Sequence, residues 1–213
     1  MVRLSPNALL LAATIALAAS PAIDAAAAGT ASGGELYRDC AACHGADGGG
    51  VADGTVPAIG GQPARVIAKQ LADFRAARRL DLRMQHFADD RHLDGPIAVG
   101  AVAVYIEGLR RSTAVATGSG RELAAGEREY LRQCAACHGP AGAAVAAAGI
   151  PALAGQHAPY LERRLQEASG ALNSLSTVHG GLVKGLGADR VAAIADWLSR
   201  QAPPGTPAAP AKP

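Results

Sequence analysis

All four cysteines of this 213-residue chain lie in two identical pentapeptides, Cys40-Ala-Ala-Cys43-His44 and Cys134-Ala-Ala-Cys137-His138. Each fits covalent haem attachment: two thiols form thioethers to the vinyl groups, and the adjacent histidine supplies a nitrogen to iron. Three other chemistries use paired cysteines. A redox-active dithiol expects a βαβ setting, and no alternating strand pattern bounded by hairpin turns is present. A four-thiolate zinc site would have to bring both motifs together and leaves His44 and His138 without a role. Two disulfides suit an oxidising compartment but again leave both histidines idle.

The elements that must hold these motifs form a repeat. Adding 94 carries Cys40 onto Cys134, Pro57 onto Pro151, Gly61 onto Gly155, Gln62 onto Gln156, Ile67 onto Leu161 and Leu71 onto Leu165. A register held over so many positions predicts two copies of one fold: residues 32–110, a Ser/Thr/Gly/Ala-rich linker 111–120, residues 121–201, and a disordered Pro/Ala-rich tail 202–213. Helical periodicity appears at Leu36–Cys40, at Ile67, Leu71 and Phe74, and over Ile97–Leu109, with Asp94 as a cap and Pro96 in the first turn. In the second half Leu123, Tyr130, Leu131 and Cys134 mark one helical face, Leu161, Leu165 and Ala168 another, and Val191, Ile194, Ala195 and Leu198 the last. The fold class expected is all-α. Domains of about 80 residues have thin cores and need a staple. Aromatics make up 3% of the chain, so a flat apolar macrocycle has to fill what side chains do not.

The first residues set the compartment. Arg3 precedes an apolar run from Ala8 to Ala19, and Ala25–Ala28 offer small residues for cleavage, which predicts a secretory leader over 1–28 and a periplasmic product. The run is shorter than the roughly 20 residues a bilayer demands, so any membrane association is expected only through partners. Residues 32–110 carry nine basic and ten acidic side chains, and 121–201 carry eight and seven. Balanced charge excludes nucleic acid as an expected partner. Arg75, Arg78, Arg79 and Arg83 form a local basic cluster, read as a solvated helix face with haem propionates or an acidic partner as the alternative. His86 and His92 read as surface residues, and His157 has no assignment.

Both halves resemble the class I c-type cytochrome domain, and their pairing is similar to the dihaem cytochrome c4 family. The resemblance rests on the two haem motifs, on Val56-Pro-Ala-Ile-Gly-Gly-Gln62 and Ile150-Pro-Ala-Leu-Ala-Gly-Gln156 after them, on Tyr160-Leu161, and on Tyr105 and Trp197 in the closing helices. It implies two covalent haem c groups on Cys40, Cys43, Cys134 and Cys137, proximal ligands His44 and His138, and single-electron transfer in a respiratory chain. The partners implied are a quinol-oxidising complex, a terminal oxidase or a periplasmic dehydrogenase. Met84 lies before the last helix of the first half, where this fold places its sixth ligand. The same offset lands on Val178, and no methionine follows residue 84. The spacing from His179 through Leu186 to Trp197 is that of the family's ligand, leucine and aromatic, which puts His179 in the vacant role. An open iron, His157 and Lys184 are the competing readings. An open iron would make the protein a haem enzyme or small-ligand sensor, and a third reading is an electron-accepting subunit of a dehydrogenase.

Overall fold

Ser32 and Glu35 start the first helix of a computed structural model that describes residues 31–112, 114–168 and 176–205. The expected leader and residues 206–213 of the expected tail lie outside the described residues. The Ser32 hydroxyl accepts from the Glu35 amide at 3.3 Å while the Glu35 carboxylate accepts from the Ser32 amide at 2.7 Å. This reciprocal capping box satisfies two amides that a helix start leaves orphaned. Helix α1 (Gly33–His44) therefore begins sharply and ends on the haem-motif histidine. Three more helices complete the half: α2 (Ala64–Arg75), α3 (Leu82–Phe87) and α4 (Gly95–Gly108). The Asp81 carboxylate caps α3, whereas Asp94 stands at the N-cap of α4 without a side-chain bond.

The second half repeats the order as α5 (Leu123–Gln133), α6 (Ala135–His138), α7 (Ala158–Glu167), α8 (Ser176–Lys184) and α9 (Ala188–Ser199). Adding 94 to the first residues of α2 and α3, 64 and 82, gives 158 and 176, the first residues of α7 and α8. The structure is helical with no strands among the described residues, apart from one isolated bridge between Val145 and Ile150. It also contains no helix long and apolar enough to cross a membrane among those residues. Tyr37 sits three residues before Cys40, but Tyr130 sits four before Cys134. The helix breaks at Cys134 between α5 and α6, which absorbs the additional residue. Both tyrosines then reach equivalent acceptors, the Gly45 carbonyl at 2.7 Å and the Gly139 carbonyl at 2.6 Å.

First and last helices cross closely in each half. A Cβ on Gly33 would stand 2.3 Å from the Ala101 carbonyl oxygen, and one on Gly126 would stand 2.1 Å from that of Ala193. Glycine is required at both crossings because no side chain fits. Tyr37 stacks on Tyr105 and Tyr130 on Trp197 beside them. The first core gathers Ile67, Leu71, Phe74, Val102 and Ile106; the second gathers Leu161, Ile194, Ala195 and Leu198. Two expected helical faces need correction. Leu131 is exposed, because it lies a full 100° around the helix from the wholly buried Tyr130. Helix α4 begins at Gly95, and Ile97 points to solvent.

The two halves are joined by matching hydrogen bonds. The Gln156 side chain accepts from the Ala58 amide at 2.9 Å and donates to the Ala58 carbonyl at 2.7 Å. Gln62 does the same to Ala152, at 3.0 and 2.7 Å. Since 58 and 62 plus 94 are 152 and 156, the interface is self-complementary between the two copies. The connecting segment is pinned at several of its described residues. Ser112 bonds Asp47, Ala116 accepts from Ala158 and donates to His157, and Gly118 and Gly120 donate to Asp196. Where the proline-rich stretch begins, Pro203 and Pro204 are half-buried against Gly155 and Gly61.

Candidate haem centres

His44 ends α1 because Gly45 follows with φ +77°, a left-handed conformation that favours glycine and turns the chain away. The imidazole is buried, and its Nδ1 lies 3.0 Å from the Pro57 carbonyl oxygen. A carbonyl can only accept, so Nδ1 carries the proton and Nε2 presents its lone pair. Burial pulls the His44 pKa down against the Pro57 bond that raises it, which keeps the ring neutral. A fixed tautomer, held by a carbonyl behind it, is how proteins prepare a histidine for a metal.

That histidine opens onto an apolar cavity. Cys40, Cys43, His44, Pro57, Leu71 and Met84 line it, with Phe74 and Val102 behind. Met84 is placed by the Asp81 cap, whose carboxylate accepts from the Arg83 and Met84 amides. The cavity therefore brings together all four residues predicted for the first centre. Its two thiols are free. Burial pushes the Cys40 thiol up to about 11, opposite to the lowered pKa that a redox-active dithiol needs. An apolar slot with two thiols, a prepared imidazole and a thioether fits a covalently attached haem.

The second centre differs. His138 is buried and faces His179, with ring centroids 6.1 Å apart. Two imidazole–metal bonds of about 2 Å, plus roughly 1 Å from nitrogen to ring centre on each side, place centroids about 6 Å apart across a single ion. The Nδ1 atoms of both rings are buried without a hydrogen-bond partner in good geometry. Burial lowers the His138 pKa, and the Pro151 carbonyl, the counterpart of Pro57 in the repeat, raises it. The competing ligands stand elsewhere. Lys184 is exposed at the end of α8. His157 is fully buried at the interface, where its Nε2 donates to the Gly49 carbonyl at 2.7 Å and its Nδ1 accepts from the Ala116 amide at 3.1 Å.

The basic cluster is a solvated face only in part: Arg78 and Arg83 are exposed, whereas Arg75 and Arg79 are half-buried. Arg75 bonds the Ala88 and Leu93 carbonyls and pairs with Asp90, clamping α2 onto the turn after Met84. Arg78 pairs with Asp73, and Arg83 with Asp81. Arg79 lies over Phe74 and donates to the Tyr160 hydroxyl of the other half at 2.7 Å. Tyr160, Arg163 and Arg164 of α7 complete the wall of the first cavity. Sequence periodicity missed this shared wall, since nothing local marks a residue of one repeat as serving the other.

Two helical domains, each folded around a Cys-x-x-Cys-His motif, the first opening onto an apolar slot and the second placing its histidine opposite another imidazole, define a dihaem c-type cytochrome. The family model for cytochrome c matches residues 30–98 and 123–201, and the chain belongs to that family, in its dihaem cytochrome c4-like group. It is 36% identical over 170 residues to the thiosulfate dehydrogenase electron acceptor of Stutzerimonas stutzeri strain A1501, covering 75% of this chain and 77% of that one. It is 34% identical over 145 residues to cytochrome c4 of Pseudomonas aeruginosa, covering 66% and 72%. Reduced recombinant cytochrome c4 from Pseudomonas stutzeri superposes with a TM-score of 0.70 at 25% identity, covering 80% of this chain and 97% of that one. Thiosulfate dehydrogenase from Marichromatium purpuratum superposes at 0.68 with 28% identity, covering 80% of this chain and 40% of that one. The protein thus carries two covalent haem c groups and transfers electrons.

Proposed function

We propose that this protein is an exported one-electron relay with unlike irons, ligated by His44 and Met84 in the first domain and by His138 and His179 in the second. The observation that carries it is the 6.1 Å separation of the His138 and His179 rings, the spacing for one metal ion between two imidazoles. When bound, the haem groups supply the ferric/ferrous couple. The four cysteines anchor them at Cys40, Cys43, Cys134 and Cys137, and the Pro57 carbonyl keeps the His44 lone pair aimed inward. Held by His44 with Met84 and by His138 with His179, the haem groups would supply a one-electron couple with little rearrangement, which suits relay over catalysis.

Ligation sets a direction. Methionine–histidine ligation raises the reduction potential, so replacing the thioether by His179 lowers that of the second haem. The second domain would then serve as the point of electron entry and the first as the place where electrons rest. Export to the periplasm is supported by the basic, apolar and small-residue pattern of residues 3–28. The relatives named as thiosulfate dehydrogenase electron acceptors support a periplasmic dehydrogenase as donor, with a quinol-oxidising complex as the other source and a terminal oxidase as sink. Ferric electron paramagnetic resonance of wild type and His179→Ala tests the ligation. The substitution is expected to abolish the second haem's low-spin signal and let its ferrous form bind carbon monoxide. An unchanged spectrum and potential would remove His179 as ligand.

A further inference from the structure

The chain has six histidines. His44 and His138 belong to the haem motifs, His179 faces His138, and His157 has both ring nitrogens bonded in the interface. The remaining two, His86 and His92, stand together, with ring centroids 4.5 Å apart, and Asp89 lies between them in sequence and beside them in space. One donor atom from each of the three side chains lies within 4.8 Å of the other two. We propose that His86, Asp89 and His92 form a binding site for a divalent transition-metal ion, Zn2+ or Cu2+, on the turn that follows Met84.

Donor chemistry and rigidity both favour such an ion. Two imidazoles and one carboxylate suit zinc and copper, whereas magnesium and calcium prefer oxygen alone. An ion bonded at about 2 Å holds tetrahedral donors roughly 3.3 Å apart, closer than the outer limit of 4.8 Å seen here, and the exposed His86 is the donor with room to close in. The turn is already fixed. The Leu93 amide donates to the Asp89 carbonyl at 3.0 Å, and Arg75 bonds the Ala88 and Leu93 carbonyls at its two ends. The Arg91 guanidinium occupies Oδ2 of Asp89, while Oδ1 accepts from the Arg91 amide at 3.0 Å and lies 3.1 Å from His92 Nδ1, so the carboxylate is held facing that ring. The cytochrome fold does not require these donors, since adding 94 to 86, 89 and 92 lands on Gly180, Val183 and Leu186.

A bound dication two residues from Met84 favours the reduced, less positive state of the first haem and raises its potential. This electronic role rests on Met84 being that haem's ligand; the binding itself does not. Untagged, fully oxidised dihaem protein is titrated with Zn2+ by calorimetry, and both midpoint potentials are measured with and without Zn2+. One Zn2+ per chain is expected, weakened about tenfold or more by His86→Ala, by His92→Ala and by Asp89→Asn. The first haem's midpoint is expected to rise with Zn2+ in wild type and to stay put in His92→Ala. Absence of Zn2+ uptake, or uptake undiminished by both histidine substitutions, overturns the site. Uptake lost in the variants but with both midpoints unmoved in wild type overturns the electronic role.

Discussion

Histidine shows how one residue type takes different tasks from its surroundings. His44 is prepared by a carbonyl on Nδ1, His179 faces a second imidazole across the space of an ion, and His157 is consumed as a structural bridge. The interface role of His157 makes a sharp prediction. His157→Ala leaves the Gly49 carbonyl and the Ala116 amide unpaired in a buried site and opens a cavity, a loss of about 3 kcal/mol. Thermal unfolding should register it while the resonance spectra of both haems stay as in wild type. A changed second-haem spectrum would restore His157 as a ligand candidate. The motif histidines were legible from their position after a Cys-x-x-Cys pair. His157 was not, because its partners lie 41 and 108 residues away in the chain.

Single contacts hold the short elements that position the proposed ligands. Helix α3 has six residues, too few for independent stability, and relies on the Asp81 cap and on Arg75 clamping the turn beyond it. Arg75→Gln should loosen that turn at a cost of about 2 kcal/mol and let exogenous imidazole displace the first haem's thioether at lower concentration than in wild type. The second domain has Ser169 at the equivalent position, so its haem serves as the internal control. Asp196 on α9 has a comparable task on the linker. Burial pushes its pKa up, but the Gly120 amide, Arg200 and the Gly118 amide outweigh burial and hold it below the ordinary value. A carboxyl depressed on folding contributes stability that is present above its unfolded value of about 4 and is lost as pH falls through the folded value. Asp196→Asn should therefore lower the unfolding temperature at neutral pH, and the gap from wild type should narrow steadily below pH about 4. A gap independent of pH would show that the charge contributes nothing.

Two haem domains become one electron carrier through the Gln62 and Gln156 bonds, the pinned linker and the wall that α7 lends to the first cavity. Tethering alone gives the second centre a high effective concentration near the first, but only docking fixes their mutual geometry. After pulse reduction of one haem, electrons should redistribute at a rate independent of protein concentration. Replacing both glutamines by alanine leaves the amides and carbonyls of Ala58 and Ala152 without their partners at the interface. The double variant should slow that redistribution while each haem keeps its own spectrum. Second-order redistribution in wild type would mean that the domains act separately.

Cysteine spacing and the 94-residue register were enough to read the class, the all-helical halves and the haem-bearing residues, because thioether attachment and helix periodicity are local and recur at fixed offsets. The departure at Val178 was legible for the same reason, and with it the candidacy of His179. Other properties came only from the folded chain. Arg75 and Arg79 read as solvated because their spacing shows a charged stretch, yet their acceptors are backbone carbonyls and a hydroxyl brought near by tertiary packing. Leu131 read as buried because periodicity alone does not choose between neighbours 100° apart on one helix. Gln62 and Gln156 were visible as repeats, but their reciprocal use follows from docking two copies about a twofold relation, and a linear chain carries no signal of which surface meets its own duplicate.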